Sequence, residues 1–542
     1  MFDALLNQLL TDTTHTSLRI FMPELLLSAG IVLMLLARLF GVDRKLPTHW
    51  IALWATLAAF AVALLYFFDF TNADHGPVEY FQGLMVFDRF TACFRLGLLL
   101  FLVFVITLTV LSGIPDQEDA PDFYTLLLGS AVGMMIMGGA NHLLMVFLGV
   151  EMVSVPSYAM VGFLKGRKQS SEAALKFVVY GAGAAGVMLY GISLIAGLLG
   201  TAELPELADR LQVLYAGGSA TLADPTVRIL TLGILMLLVG FAFKLSVVPF
   251  HFWTPDAFQG ASAEVGGFLT VASKAAAFVL LVRVLISLLA MPLGDQLSAV
   301  YLTLGVGIGV IAAITATYGN LTAFSQTNMK RLLAYSTIAH AGYMLMAVSA
   351  MVVLMSASNA GVSNGLVIDE RAARAVEGLL YYLAAYLFMN LGAFAITALI
   401  RNEIFSEEIE DYRGLGYQAP VLAIGMGVCL FSLVGIPPLG GFVGKLFVFA
   451  SLFDAGFVHP AMWGILAIGG LNTVFSLFYY LRVLKTMFLF ERPAGARPVR
   501  VPMWSTAGVF VLLVTVPLIW PLGLHVQLVS RVARSAALAL FP

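Results

Sequence analysis

Apolar positions in this chain gather into long blocks, without the two-residue alternation of a half-buried strand. The blocks fall near 18–40, 49–69, 90–112, 122–139, 142–164, 172–200, 227–253, 261–290, 297–318, 330–354, 376–400, 418–453, 461–489 and 503–527. A helix crossing hydrocarbon needs about 20 mostly apolar residues. The pattern therefore predicts fourteen spanning helices, and the block at 418–453 is long enough to hold a break. Met1–Thr16 is polar and the first block is a full span, so no cleavable leader is expected. A short surface helix is expected within 201–224.

The polar connections alternate in character. One set carries Arg44 and Lys45, "KGRK" at Lys165–Lys168, Lys330 and Arg331, Arg401 and Arg413, and "ERPAGARPVR" at Glu491–Arg500. The other set, "FTNADHGPVEY", "TAELPELADRLQ" and "SNGLVIDERAAR", is acidic or mixed. Lys and Arg in short loops mark the cytoplasmic side, which puts both termini outside. The acidic loop Ile114–Phe123 falls on the inner side against this trend, but acidic residues weigh little in the rule.

Composition agrees with the blocks: 60% of the residues are hydrophobic and 11% charged, against about 25% charged in soluble domains. The net charge of −2 is spread over loops, and no basic stripe suggests nucleic acid. Cys93 and Cys429 both lie in apolar blocks and form no ligand pair, so neither a metal site nor a disulfide framework is expected.

Ionisable residues inside the blocks carry the candidate chemistry, because a charge at bilayer depth costs a few kcal/mol and is usually functional. They are Glu151 in "VFLGVEMVSVPSY", Lys244 in "FAFKLSVVPFHFW", Lys274 in "LTVASKAAAFVLL", His340 in "AYSTIAHAGYMLM" and Lys445 in "GIPPLGGFVGKLFVF". Each has a plainer reading beside it. The lysines snorkel to an interface, Glu151 is a structural ion-pair partner, and His340 is a neutral histidine bonded to backbone. Glu172 and Lys176, four apart, are read as a local pair. On the functional reading, desolvation disfavours the charged form. Lysines joined by water and histidine, beside a glutamate that pairs and unpairs, then form a proton relay. "GAGAAG" at Gly181–Gly186 matches no dinucleotide fingerprint; its small residues suit close helix packing.

Two blocks contain helix breakers: Pro249, and "GIPPLGG" at Gly435–Gly441. A proline removes a backbone bond, and membrane proteins tolerate such breaks where they are buried in protein or line a wet cavity. Interrupted helices in corresponding places suggest repeated halves. Pro437 minus Pro249 is 188; that step carries Glu151 to 339, next to His340, but carries Lys244 to Ser432 and Lys274 to Met462.

These residues resemble the antiporter-like membrane subunits of respiratory complex I. The resemblance rests on "FKLSVVPFHFWTPDAFQGASAEVGGFLTVASKAAAF" (Phe243–Phe278), "GVEMVSVPSYAMVGF" (Gly149–Phe163), "LKFVVYGAGAAGVMLYGISLIAGLLG" (Leu175–Gly200) and "MKRLLAYSTIAHAGYML" (Met329–Leu345). Lys445 matches the branch that has lysine, not glutamate, after the second break. The resemblance implies one all-α polytopic membrane domain over 1–542. Helices 1–3 would occupy 1–120. Two inverted five-helix repeats, each with one broken helix, would occupy 121–290 (helices 4–8) and 297–490 (helices 9–13). Helix 14 would lie in 491–542. It further implies proton transfer by Glu151, Lys244, Lys274 and Lys445, with Glu151 pairing with Lys244, Lys274 linking the half-channels and Lys445 on the outlet side. His251 and His340 would be polar members of the axis, opened by Pro249 and Pro437. No cofactor is expected in this chain; flavin, iron–sulfur clusters and quinone would belong to partner subunits of an NADH–quinone oxidoreductase in a bacterial cytoplasmic membrane. Two other readings stand beside this one: a subunit of a multi-subunit cation/proton antiporter, and a passive scaffold.

Overall fold

The computed structural model describes residues 12–72, 76–215, 224–289, 295–359, 365–495, 497–499 and 501–541. Residues 1–11, from the polar start where no leader is expected, and 216–223, from the segment expected to hold a surface helix, lie outside them.

The chain crosses as helices α1 (Met22–Leu39), α2 (Thr48–Asn72), α3 (Arg89–Ser112), α4 (Ala120–Gly139), α5 (Leu143–Val161) and α6 (Lys168–Leu199). A surface helix α7 (Leu204–Tyr215) follows. Then come the interrupted pair α8 (Pro225–Leu245) and α9 (Trp253–Gly260), and α10 (Ala263–Leu289). The second half runs through α11 (Asp295–Ala323), α12 (Met329–Asn359) and α13 (Gly365–Ile404). The second interrupted pair is α14 (Pro420–Val434) and α15 (Gly440–Gly456), and α16 (Ala461–Leu489) and α17 (Thr506–Ile519) follow. Thirteen of these helices are long and apolar enough to cross a membrane, and the short α14 continued by α15 makes the fourteenth crossing, as the apolar blocks predict.

Side chains are distributed in reverse of a soluble protein. Val32, Leu33, Trp54, Leu65, Val179 and Phe478 are exposed on the outer helices, where hydrocarbon replaces water. Helices α10, α12 and α13 are almost wholly enclosed and form the centre of the bundle. Small residues let α11 and α12 cross closely. A Cβ on Gly342 would stand 2.6 Å from the Ala316 nitrogen and 2.7 Å from the Ala312 oxygen. Gly342→Val is therefore expected to push the helices apart and cost about 1–3 kcal/mol; thermal unfolding in detergent should show a lowered midpoint, and an unchanged one would contradict this packing. The glycines of "GAGAAG" divide: a Cβ on Gly181 would collide with Tyr158, whereas Gly183 and Gly186 face open space.

Three features are absent from the sequence reading. A hairpin of β1 (Val78–Tyr80) and β2 (Met85–Phe87) stands between α2 and α3, with Glu79 opposite Val86. The segment read as an acidic loop at Ser363–Arg374 is helical from Gly365 onward, as the start of α13. Past the last crossing, an amphipathic helix α18 (Val526–Leu538) lies across α13 and α3, burying Ala533, Ala536 and Ala537.

The breaks share one geometry. Helix α8 ends at Ser246 with φ +60°, and the Ser246 N–H donates to the oxygens of Ala242 and Phe243. Helix α14 ends at Gly435 with φ +89°, its N–H donating to Phe431 and Ser432. In each case the next N–H, Val247 or Ile436, reaches back to the oxygen of Ala242 or Phe431. This is the left-handed cap that commonly ends helices, adopted at Ser246 without the freedom of glycine. Each break is also bridged. Trp253 Nε1 donates to the Phe243 oxygen at 3.1 Å, and the Gly441 N–H donates to Ser432 Oγ at 3.1 Å. The matching caps set the register between halves: Gly435 minus Ser246 is 189, one more than the proline spacing suggests. That step carries Glu151 onto His340. It still pairs neither Lys244 nor Lys274 with a titratable residue, since it takes them to Leu433 and Trp463.

Candidate functional site: buried lysines at two helix ends

The proposed site residues fall along the enclosed centre of the bundle. Lys244, Lys274, His340 and Lys445 are at most 3% exposed, so none of the lysines reaches an interface within this chain. Glu151 is half-buried on α5.

Lys244, on the last turn of α8, donates to Ser154 Oγ at 3.1 Å. Ser154 lies one turn beyond Glu151 on α5, and its own hydroxyl donates to the Val150 oxygen at 2.7 Å. Among the described residues, no ion pair within 4 Å joins Glu151 to Lys244. The resemblance implies a pair; here the serine occupies the lysine.

Lys274 follows a widened turn of α10 at Leu269–Ser273. Its ammonium donates to the Leu245 oxygen at 3.0 Å and to the Thr337 oxygen at 3.4 Å. Leu245 is the residue after Lys244 and the last of its half-helix, while Thr337 lies one turn before His340 on α12. Lys445 uses the second break in the same way. It donates to the oxygens of Leu433 at 3.0 Å and Val434 at 2.9 Å, the last residues of α14, and stands 4.4 Å above the Tyr343 ring. A helix C-terminus is a negative pole with unsatisfied carbonyls. The helices thus stop in mid-bundle, and lysines from elsewhere meet their ends.

Around these lysines lies a buried polar layer. Thr270 and Thr337 hydroxyls are 2.6 Å apart, and Asn390 donates to Thr270 at 3.1 Å. His340 Nδ1 is 2.6 Å from Tyr382 Oη, and its Nε2 is 3.3 Å from Tyr480 Oη. His251, in the first break, packs its ring 4.3 Å from that of Tyr318, and among the described residues neither ring nitrogen has a hydrogen-bond partner. Pro249 and Pro437 both lie in the non-helical links that they were expected to open. Hydroxyl and amide residues such as Ser154, Thr337, Asn390, Tyr382 and Tyr480 escape a search of the sequence for charges; their only signal is a polar group inside an apolar block.

Four other buried cations behave differently. Arg95 pairs with Glu24 at 2.5 Å, Arg283 with Asp88 at 3.0 Å, Lys330 with Glu407 at 2.8 Å and Arg401 with Glu264 at 3.4 Å. The Glu172–Lys176 pair, 2.9 Å, is one arm of a wider net in which Asp256 takes Lys176 at 2.7 Å and Arg331 at 2.8 Å. Each of these cations has a carboxylate. Among the described residues, Lys244, Lys274 and Lys445 have neutral oxygens instead. A carbonyl or hydroxyl oxygen accepts an N–H from an ammonium or from a neutral amine alike. These lysines can therefore change proton number without leaving a bare carboxylate buried, as an ion-paired arginine would.

Fourteen crossings, two interrupted helices and a row of lysines on helix ends define a membrane domain of the antiporter-like class. The family described as "NADH:quinone oxidoreductase/Mrp antiporter, TM" matches residues 140–476. A relative named NADH-quinone oxidoreductase subunit N, from Anaeromyxobacter sp. (strain Fw109-5), is 39% identical over 81% of this chain and 83% of its own. A chain of respiratory complex I from Thermus thermophilus is 29% identical, covers 94% of this chain and 99% of that one, and superposes with a TM-score of 0.71. A chain of the Mrp complex from Dietzia sp. DQ12-45-1b shares the fold, with TM-score 0.77 at 19% identity over 96% and 97% of the two chains. The chain belongs to the NADH:quinone oxidoreductase/Mrp antiporter transmembrane family, on its subunit N branch.

Proposed function

We propose that this protein is a proton-translocating membrane subunit of a bacterial NADH–quinone oxidoreductase. It works beside peripheral and membrane partners that hold the flavin, iron–sulfur clusters and quinone, and carries no redox group itself. Its basic loops face the cytoplasm and both termini lie outside. The observation that supports the reading best is the division among buried cations: Lys244, Lys274 and Lys445 sit on neutral oxygens, while the other buried cations above are locked to carboxylates.

A charge change in a neighbouring subunit, driven by quinone reduction, shifts Glu151 relative to Lys244. While the carboxylate is near, the ammonium is stabilised; when it withdraws, only Ser154 Oγ remains and the proton is released. Lys274 donates to the carbonyl of Leu245, the residue after Lys244. From Lys274, which also meets the Thr337 oxygen, the proton moves towards Lys445.

Glu151→Ala and Lys244→Ala are each expected to lower NADH-driven proton uptake by inverted vesicles at least about tenfold, a floor below the usual effect of removing a proton-transfer group. Native gels should show full assembly. Normal pumping in either variant would sink the reading. The antiporter alternative shares the fold, and the identity to subunit N relatives favours the oxidoreductase. Co-purification decides between them, since redox subunits should accompany this chain.

A further inference from the structure

Beyond the lysines, His340 in the centre has a tyrosine hydroxyl against each ring nitrogen. Tyr382 comes from α13 and meets Nδ1 at 2.6 Å; Tyr480 comes from α16 and meets Nε2 at 3.3 Å. All three side chains are buried. The imidazole bridges the two phenols.

The two phenols lead to different places. Tyr480 also bonds Ser336, one turn nearer the start of α12, where Lys330 and Arg331 stand. Its ring stands 4.3 Å from that of Tyr479, whose hydroxyl donates to Asn320 Oδ1 at 3.0 Å. Asn320 donates in turn to Asn472 Oδ1 at 3.0 Å, and Asn472 to Thr317 Oγ1 at 2.8 Å. Asn320 is one turn from the end of α11 on that same basic side. Tyr382, by contrast, packs against Gly444, the residue before Lys445, so closely that a Cβ there would sit 2.4 Å from its ring.

Resting on the proton-translocating function proposed above, we infer that Tyr480 and Tyr382 are the two hydrogen-bond arms of a relay in which His340 passes protons by exchanging tautomers. One arm is fed through the Ser336 hydroxyl beside Tyr480, and the other delivers towards Lys445. A neutral imidazole has one N–H and one lone pair, so each phenol meets a different face of the same exchange. Tyr480 Oη gives its proton to Nε2 and takes another from the Ser336 hydroxyl, which in turn takes one from water on the basic side. The Nδ1–H bond breaks and its proton passes to Tyr382 Oη, which releases its own towards the neutral amine of Lys445. One proton enters and one leaves, and the imidazole ends neutral with its tautomer reversed. Rotation of the ring, or of the hydroxyls, restores the start. No charged imidazolium has to persist in a site with no carboxylate beside it, a state that burial makes costly.

The inference differs from a packing role because only the hydroxyls matter. Tyr382→Phe and Tyr480→Phe keep both rings. In the assembled complex each is expected to lower NADH-driven proton uptake at least about tenfold, with normal assembly on native gels. Replacing either tyrosine by 3-fluorotyrosine, similar in shape but more acidic, is expected to preserve assembly and change both the pumping rate and its solvent deuterium isotope effect. Two phenylalanine variants that pump at the wild-type rate overturn the relay, while Lys244→Ala, run in parallel, tests the underlying proton route separately. A block in Lys244→Ala with normal phenylalanine variants removes the tyrosines alone; normal pumping in all three removes the route. If a phenylalanine variant fails to assemble, the fluorotyrosine protein decides, and an unchanged rate and isotope effect count against the relay.

Discussion

Lys274→Met is expected to abolish most NADH-driven proton uptake, a loss of at least about tenfold, in a complex that assembles at the wild-type level. The two halves of this expectation have separate physical sources. Methionine has nearly the reach of lysine and fills irregular space well, so the widened turn at Leu269–Ser273 keeps its packing. It also removes a buried cation that no carboxylate compensates, so stability should not fall. The Leu245 and Thr337 oxygens lose a donor, but each belongs to a helix whose other contacts remain. What disappears is the buried ammonium between the two interrupted helices. Inverted vesicles give the pumping rate and native gels the assembly. A variant that assembles and pumps normally would remove Lys274 from the route, leaving His340 as the titratable group between Lys244 and Lys445.

The second large effect is expected far from that line. Arg95→Ala should cost roughly 3–5 kcal/mol, the typical price of breaking a buried ion pair from one side. Arg95 is held by Glu24 at 2.5 Å and donates to Tyr80 Oη of the hairpin at 2.8 Å and to the Ile20 oxygen at 3.2 Å. Its removal strands the Glu24 carboxylate, which is 0% exposed, in the interior. One residue therefore ties α1, α3 and the hairpin together, and its loss should appear as poor accumulation and early thermal unfolding. A double change, Arg95→Met with Glu24→Gln, removes both charges and should recover much of the stability. If the single variant melts like wild type, the pair is ornamental to the N-terminal helices.

The two predictions mark what could be read along the chain. The crossings were legible because about twenty apolar residues in a row have few other fates, and both breaks were legible because proline and glycine punctuate them. Lys274 and Lys445 were legible as charges where charges are costly. Their partners were not, because they are main-chain oxygens whose availability depends on where a helix stops. Glu24, Arg95, Arg283 and Glu264 lie inside apolar blocks too and drew no notice as pairs; their partners sit on other helices, and distance along the chain hides the contact. The register shows the same limit on a small scale. Prolines suggested a step of 188 between halves, but the caps at Ser246 and Gly435 give 189. Serine adopting a left-handed turn is invisible in a string of letters.

The acceptors of Lys274 and Lys445 have one more consequence, for genetics. Any substitution can delete the lysine, but none can delete the Leu245, Leu433 or Val434 oxygen, because every amino acid supplies the same carbonyl. Alanine scanning therefore sees one partner of each contact. Where alleles map to the lysines but never to the residues that receive them, the silent partner belongs to the peptide bond.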